Sequence, residues 1–267
     1  MITEVITYIK TCFQSKISSE ARAFGHLYES ISLVQREKRC SSYWLPHRTM
    51  CKNFIEKETK LVMKKGFSNK KVLVLGSGPL HEIPVEFLAG NFERVDLVDV
   101  VHLPETKKQW EHLTNLNFIN ADVTELETDL LREKKPISKI PTAFLNENYD
   151  LVLSANLLSQ LAYHLRNFLE KKSSPKLTER ELDLFAHQVT ENHFLYLKKF
   201  RCPVLLITDI ETHLIDKHGQ LVQKETPYID FSFPSPVEEW WWNVAPIPEY
   251  SKKLSVKMKV AGFVLNV

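Results

Sequence analysis

Short, uninterrupted apolar runs alternate along this chain with longer amphipathic stretches. Val72-Leu73-Val74-Leu75 is the clearest run: it ends at Gly76, as expected of a strand buried on both faces of a parallel sheet. Val95 to Asp99, Tyr149 to Ser154 and Val204 to Asp209 repeat the pattern, and Asn117 to Asn120 is a shorter version. Helical periodicity lies between them, over Glu82 to Ala89 (closed by Gly90), Glu105 to Leu113, a stretch through Leu157 and Leu165, and Thr178 to Phe200. A connection containing Pro and Lys runs to about Asn148. Strands alternating with helices imply βαβ units, right-handed crossovers and a mostly parallel sheet.

Both ends read differently. Val5, Ile6, Ile9 and Phe13 recur at helical spacing, as do Phe24, Leu27, Ile31 and Val34. A break is expected at Cys40-Ser41-Ser42, then a helix from about Trp44 to Met63 with Pro46 in its first turn and Gly66 closing it. Toward the other end, Gln220 to Lys224 suits a strand, Phe231 to Tyr250 is aromatic and Pro-rich, and Leu254 to Val267 alternates like an antiparallel strand. The expected architecture is α/β and Rossmann-like: a doubly wound, mostly parallel seven-stranded sheet with an antiparallel C-terminal strand, under an N-terminal helical cap. Residues 1–69 form the cap and 70–267 the nucleotide-binding domain in this reading.

Composition narrows the function classes. The 35 basic and 33 acidic residues leave a net charge of +2, with lysine doublets scattered along the chain, so no nucleic-acid footprint is expected. The cysteines at 12, 40, 51 and 202 form no CxxC pair and match no zinc spacing, so no metal is expected. Neither a signal peptide nor a membrane span of about 20 apolar residues is evident. A soluble cytoplasmic protein is the expectation, without membrane partner.

Chemistry enters at the strand ends. The chain has only seven glycines, yet Gly76 and Gly78 stand two apart in Gly76-Ser77-Gly78-Pro79. Glycines after a first strand allow a sharp turn and bring amide N–H groups close to a ligand. Asp99, 23 positions after Gly76, closes the second strand, where an acid about 20 residues on accepts hydrogen bonds from ribose hydroxyls. A dinucleotide fingerprint requires a small residue at position 81, and His81 stands there, which argues against NAD or FAD.

With VLVLGSGPL at 72–80, VDLVDV at 95–100, the Asp122-Val123 pair and YDLVLSANLLSQL at 149–161, the chain resembles the class I S-adenosylmethionine-dependent methyltransferases over about 70–267. The resemblance implies S-adenosylmethionine as cofactor and S-adenosylhomocysteine as product. It places Gly76, Ser77, Gly78 and Pro79 by the methionine moiety, Asp99 with Val100 at the ribose, and Asp122 with Val123 beside the adenine. Ser154, Ala155 and Asn156 would face the sulfonium. Two departures stand out: Val74 where the family often has an acid, and Leu80 where it often has a third glycine; Glu82 is a candidate for polar work near the methionine amine. Residue by residue, Asp99, Asp122 and Asn156 each have a helix-capping alternative.

The acceptor side is less marked. His47 and Arg48 are candidates for pairing with a carboxylate of cofactor or substrate, with exposed or capping roles as the alternative. Tyr43, Trp44, Trp240, Trp241 and Trp242 are candidates for an aromatic pocket, against simple packing. Three adjacent tryptophans cannot all point inward, so at least one faces outward. The expected activity is methyl transfer to a small-molecule or protein acceptor. The alternatives are a methyltransferase-like binding module without catalysis and, behind it, an NAD-dependent oxidoreductase.

Overall fold

A computed structural model describes residues 17–66, 68–227 and 232–266. The helix expected around Val5 to Phe13, and Cys12 with it, lie outside the described residues. The order is α1 (Ser19–Ala23), α2 (His26–Lys64), β1 (Lys71–Leu75), α3 (Val85–Asn91), β2 (Arg94–Asp99), α4 (Pro104–Gln109) and β3 (Leu116–Asn120). Then come α5 (Glu127–Glu133), β4 (Leu151–Ala155), α6 (Leu161–Lys172), α7 (Glu179–Leu197), β5 (Val204–Asp216), β6 (Leu221–Glu225), β7 (Glu238–Ala245) and β8 (Leu254–Leu265).

The sheet runs β3-β2-β1-β4-β5-β8-β7, with β6 paired to β5 off this path. The first five strands in that order are mutually parallel, while β6, β7 and β8 are antiparallel. The sheet therefore has eight strands rather than the expected seven. The extra one is β7, inside the aromatic stretch that sequence reading left unassigned. Also unforeseen was α5, in the segment read as a connection, and β5 continues to Asp216, well past Asp209.

Period-2 alternation divides the core between two faces. Val72 and Val74 of β1 point to the side packed by Val85 and Leu88 of α3 and by the C-terminal half of α2. Leu73 and Leu75 point the other way, onto Phe194, Tyr196 and Leu197 of α7. Helix α7 is well started: the Thr178 side chain accepts from the Glu181 amide and Glu181 reaches back to the Thr178 amide.

Helix α2 corrects the expectation of a break at Cys40-Ser41-Ser42: it is a continuous 39-residue helix with Pro46 inside it. An interior proline costs about 3 kcal/mol. Pro46 and Ser42, whose carbonyl loses its partner, lie on the solvent side, where water serves that carbonyl. The opposite side buries Trp44, Phe54 and Ile55, each contributing roughly 1.5–3 kcal/mol. Burial thus outweighs the proline. Gly262 of β8 lets this helix approach, since a Cβ there would stand 2.7 Å from the Phe54 ring. At the start of α2, Gly25 separates α1 from α2, and Ala21, Leu27 and Ile31 pack on Val101 and Leu103 just beyond β2.

Candidate active site

Strand order reverses at β1, whose neighbours β2 and β4 lead away in opposite directions, and in open α/β sheets the ligand crevice belongs at the carboxyl ends of the strands at such a point. The turn after β1 is built by its own backbone. Gly76 and Ser77 both donate their amides to the Val98 carbonyl at the end of β2 (3.0 and 3.1 Å). Gly76 has φ +73, and a Cβ on it would meet the Leu157 Cβ at 2.9 Å and the Ala155 oxygen at 3.1 Å. The turn thus presses against the end of β4. Gly78 donates its amide to Asp99 Oδ2 (2.8 Å), while among the described residues Asp99 Oδ1 has only the Val101 amide at 3.5 Å. One oxygen ties the turn to β2, and the other retains accepting capacity. Helix α4 starts from Leu103, with no side-chain cap, so Asp99 does not cap it. Leu80 has φ +66 and is buried, so it keeps a glycine's backbone with a core side chain.

Beside this turn runs a relay, buried at Ser77 and His102, that sequence reading missed. His102 Nε2 lies 2.8 Å from Ser77 Oγ and its Nδ1 lies 3.0 Å from Asn120 Oδ1, while Asn120 Nδ2 donates to the Val100 carbonyl. Because the Asn120 NH2 is used on Val100, its oxygen accepts from the His102 Nδ1–H. His102 Nε2 then accepts the Ser77 hydroxyl proton. Burial pushes the His102 pKa down, which keeps the ring neutral. The relay ties together the ends of β1, β2 and β3. Nothing in the sequence marked it, because a histidine three residues past a strand-end acid has no distinctive spacing.

Asp122 lies at the end of β3, and both its oxygens are bonded: Oδ1 accepts from the Thr124 amide and hydroxyl, Oδ2 from the Leu126 and Glu127 amides at the start of α5. Val123 beside it is buried.

At the end of β4, Ser154 and Ala155 are buried, and the Ser154 hydroxyl has no partner among the described residues. Asn156 has φ +49 and donates its amide to the Ile207 carbonyl. Its side chain reaches His47 of α2, with Nδ2 placed 3.2 Å from His47 Nε2. His47 is fully buried, stacks on the Trp242 ring (4.1 Å between centroids, 7° apart), and receives the Trp240 indole N–H on Nδ1 at 3.0 Å. Burial, with Arg48 adjacent, lowers its pKa to about 3. Cys51 Sγ lies 3.5 Å from His47 Nε2, and burial raises its thiol pKa well above the ordinary value. Glu82 Oε1 is 4.0 Å from the same nitrogen, with its pKa raised by burial. Farther along, Asp209 of β5 is buried with its Oδ1 accepting from Ser159, and burial raises its pKa as well.

The remaining predicted residues divide. Arg48 is ion-paired with Glu37, one face of the same helix. Trp44 is buried, donates its indole N–H to the Val244 carbonyl, and meets Trp242 edge-on. Trp240 and Trp242 pack beneath α2, whereas Trp241, on the other face of β7, is 46% exposed beside His213. Tyr43 is exposed. The structure therefore brings His47, Trp240, Trp242 and Asn156 together and leaves Tyr43 and Trp241 on the surface.

No protein-family model matches the chain, and no curated protein matches it. Among solved structures it is similar to the N-methyltransferase NodS from Bradyrhizobium japonicum WM9 in complex with S-adenosyl-L-homocysteine: 13% identity, TM-score 0.36, covering 81% of this chain and 89% of that one. It is also similar to a 1,6-didemethyltoxoflavin-N1-methyltransferase from Burkholderia thailandensis with bound 1,6-didemethyltoxoflavin and S-adenosylhomocysteine (15%, TM-score 0.35, covering 88% and 89%). A third is a DhpI–SAH complex (14%, TM-score 0.32, covering 87% and 95%). With β8 entering antiparallel between β5 and β7 in the strand order described above, the molecule has a Rossmann-like, mostly parallel α/β fold.

Proposed function

We propose that this protein is an S-adenosylmethionine-dependent methyltransferase acting on a small molecule or a protein side chain. The observation that carries the reading is the tie between the Gly76–Pro79 turn and Asp99: Gly78 N–H on Oδ2, with Oδ1 left to accept. A carboxylate so held suits a ribose diol, because its position is set before the ligand arrives. The bound cofactor would supply a methyl group on a positively charged sulfur. The protein's own part is orientation and exclusion of water. Asp99 would hold the ribose, the Gly76–Pro79 turn would border the methionine moiety, and Asn156, braced by His47, would face the transferring centre. Ser30 of α2, with Val101, Leu103 and Thr106, leaves a cavity of only about 10 Å³ beside Gly78 and Pro79, so an adenosyl ligand reaching that point would need those side chains to move. The balanced charge of the chain supports an acceptor other than nucleic acid.

Calorimetric titration with S-adenosylmethionine and S-adenosylhomocysteine, with NAD as control, tests the reading. Binding of an adenosyl compound in the micromolar range is expected. Asp99→Asn keeps an oxygen for the Gly78 amide but loses the charge, and should weaken binding at least about tenfold, or ~1.4 kcal/mol. A folded protein that binds neither adenosyl compound would refute the cofactor assignment.

A further inference from the structure

We propose that His47 is a positioning residue: it holds the Asn156 side chain so that the amide NH2 faces the crevice and the end of β4 offers hydrogen-bond donors to whatever binds there. The argument begins with Trp240. An indole nitrogen can only donate. Trp240 Nε1 lies 3.0 Å from His47 Nδ1, so Nδ1 accepts. A neutral imidazole carries one proton, which must then sit on Nε2. The atom placed 3.2 Å away is Asn156 Nδ2, which also lies 3.9 Å from Cys51 Sγ, but a half-turn of the amide exchanges this nitrogen with Oδ1. With a proton already on Nε2, a second donor in that place would be opposed, so the amide meets His47 through its oxygen. The NH2 is thereby turned away from the ring.

It turns toward the crevice. His47 and Cys51, at one end of the Asn156 amide, are fully buried, while Asn156 itself is half-buried just past the carboxyl end of β4, so a group turned away from those two residues is turned toward that end of the sheet. The backbone leaves it little choice: Asn156 holds φ +49, its amide is bonded to Ile207, and the neighbouring Ala155 and Leu157 are packed against Gly76. His47 is equally constrained, stacked on Trp242 and sealed under α2. Residues from α2, β7 and the end of β4 thus determine one hydrogen-bond polarity at one point of the crevice.

Granted the function proposed above, this polarity selects the acceptor. An NH2 can meet a carboxylate, carbonyl or phenolate oxygen, or an unprotonated ring nitrogen, but opposes an ammonium group. The chain would therefore favour acceptors that bring lone pairs beside the reacting atom.

The experiment is long-range proton–nitrogen NMR of the histidine rings in the intact, nitrogen-labelled protein at neutral pH, with His47 assigned by its loss in His47→Gln. The expected His47 pattern has the protonated nitrogen coupled to both ring C–H protons, which identifies Nε2–H. Protonation at Nδ1 would overturn the proposal. In Trp240→Phe, Nδ1 loses its donor and the Nδ1–H form should become populated; an unchanged pure Nε2–H ring in a folded variant would equally overturn it. Should that variant not fold, the wild-type spectrum decides alone. Titrating the same sample with S-adenosylhomocysteine separates the two readings: Nε2–H without adenosyl binding leaves the positioning role standing and removes the methyl acceptor from it.

Discussion

Gly76 carries two constraints at once. Its φ of +73 is costly for any side chain, and an added Cβ would collide with the Leu157 side chain and the Ala155 carbonyl. Gly76→Ala should therefore lose more than the roughly 1 kcal/mol of backbone strain alone, about 2–3 kcal/mol by urea unfolding, and weaken binding of adenosyl compounds by displacing the turn from β4. Leu80 shows the converse. Its φ of +66 costs about 1–2 kcal/mol, but it is buried in the core. Leu80→Gly should relieve that strain yet leave the protein less stable by about 1–3 kcal/mol, because the lost burial is larger. A midpoint of urea unfolding equal to or above wild type would show that strain dominates there. Such contrasts bear on what single residues disclose. Gly76, Gly78 and Asp99 were readable because a scarce residue type recurred at a spacing tied to backbone geometry. His102 and Asn120 were not, since their role depends on three strand ends meeting.

One of the contacts joining α2 to the sheet is a close approach to β8. A methyl group at Gly262 would stand 2.7–2.9 Å from three atoms of the Phe54 ring. Gly262→Ala is expected to cost about 1–3 kcal/mol by overpacking. Phe54→Leu, added to it, should recover part of that loss, so that the two changes are less damaging together than their sum. Strict additivity in urea unfolding would mean the two residues are not in contact. The same helix shows why its continuity was not legible. Cys40-Ser41-Ser42 and Pro46 are all poor interior residues, and propensity argued for a break. Trp44, His47, Cys51, Phe54 and Ile55 form a buried stripe that the sheet, β7 and β8 included, makes worth burying.

Acid stability is a property of the whole molecule. Burial lowers the pKa of His47 to about 3, His164 to about 4 and His193 to about 3, against an ordinary 6.5. Below pH 6.5 the unfolded chain takes up protons that the folded chain refuses, so stability falls as pH drops from 6.5 toward about 4. Each histidine contributes up to about 1.4 kcal/mol per pH unit. Buried Glu82, Glu127 and Asp209, whose pKa values are raised, act in the opposite sense, gaining stability as they protonate, and offset part of the loss. His193 separates the contributions, because neither ring nitrogen has a hydrogen-bond partner among the described residues. His193→Leu should flatten the decline between pH 7 and 5, measured as the urea midpoint at each pH. An undiminished slope would assign it elsewhere. Among the described residues no helix is long and apolar enough to cross a membrane, and no three metal-ligating side chains cluster.

Local pattern by itself determined the parallel strands, their alternation with helices and the polar residues at the strand ends. A strand buried on both faces must be apolar throughout, and a tight turn needs glycine, so both requirements are written in neighbouring residues. Only the tertiary structure decided which side chains meet. The β7 strand hid in a run of tryptophans because its inward face, Trp240 and Trp242, is completed by α2, some 200 residues earlier in the chain: Trp44 donates to Val244 across that distance. Asp122 reads from the sequence as cap or ligand, and only the fold shows the four donors around it. The polarity of Asn156 follows from Trp240 through His47, three residues far apart in sequence. Hydrogen bonds between distant elements depend on where each chain segment is packed, and packing is a property of the whole fold.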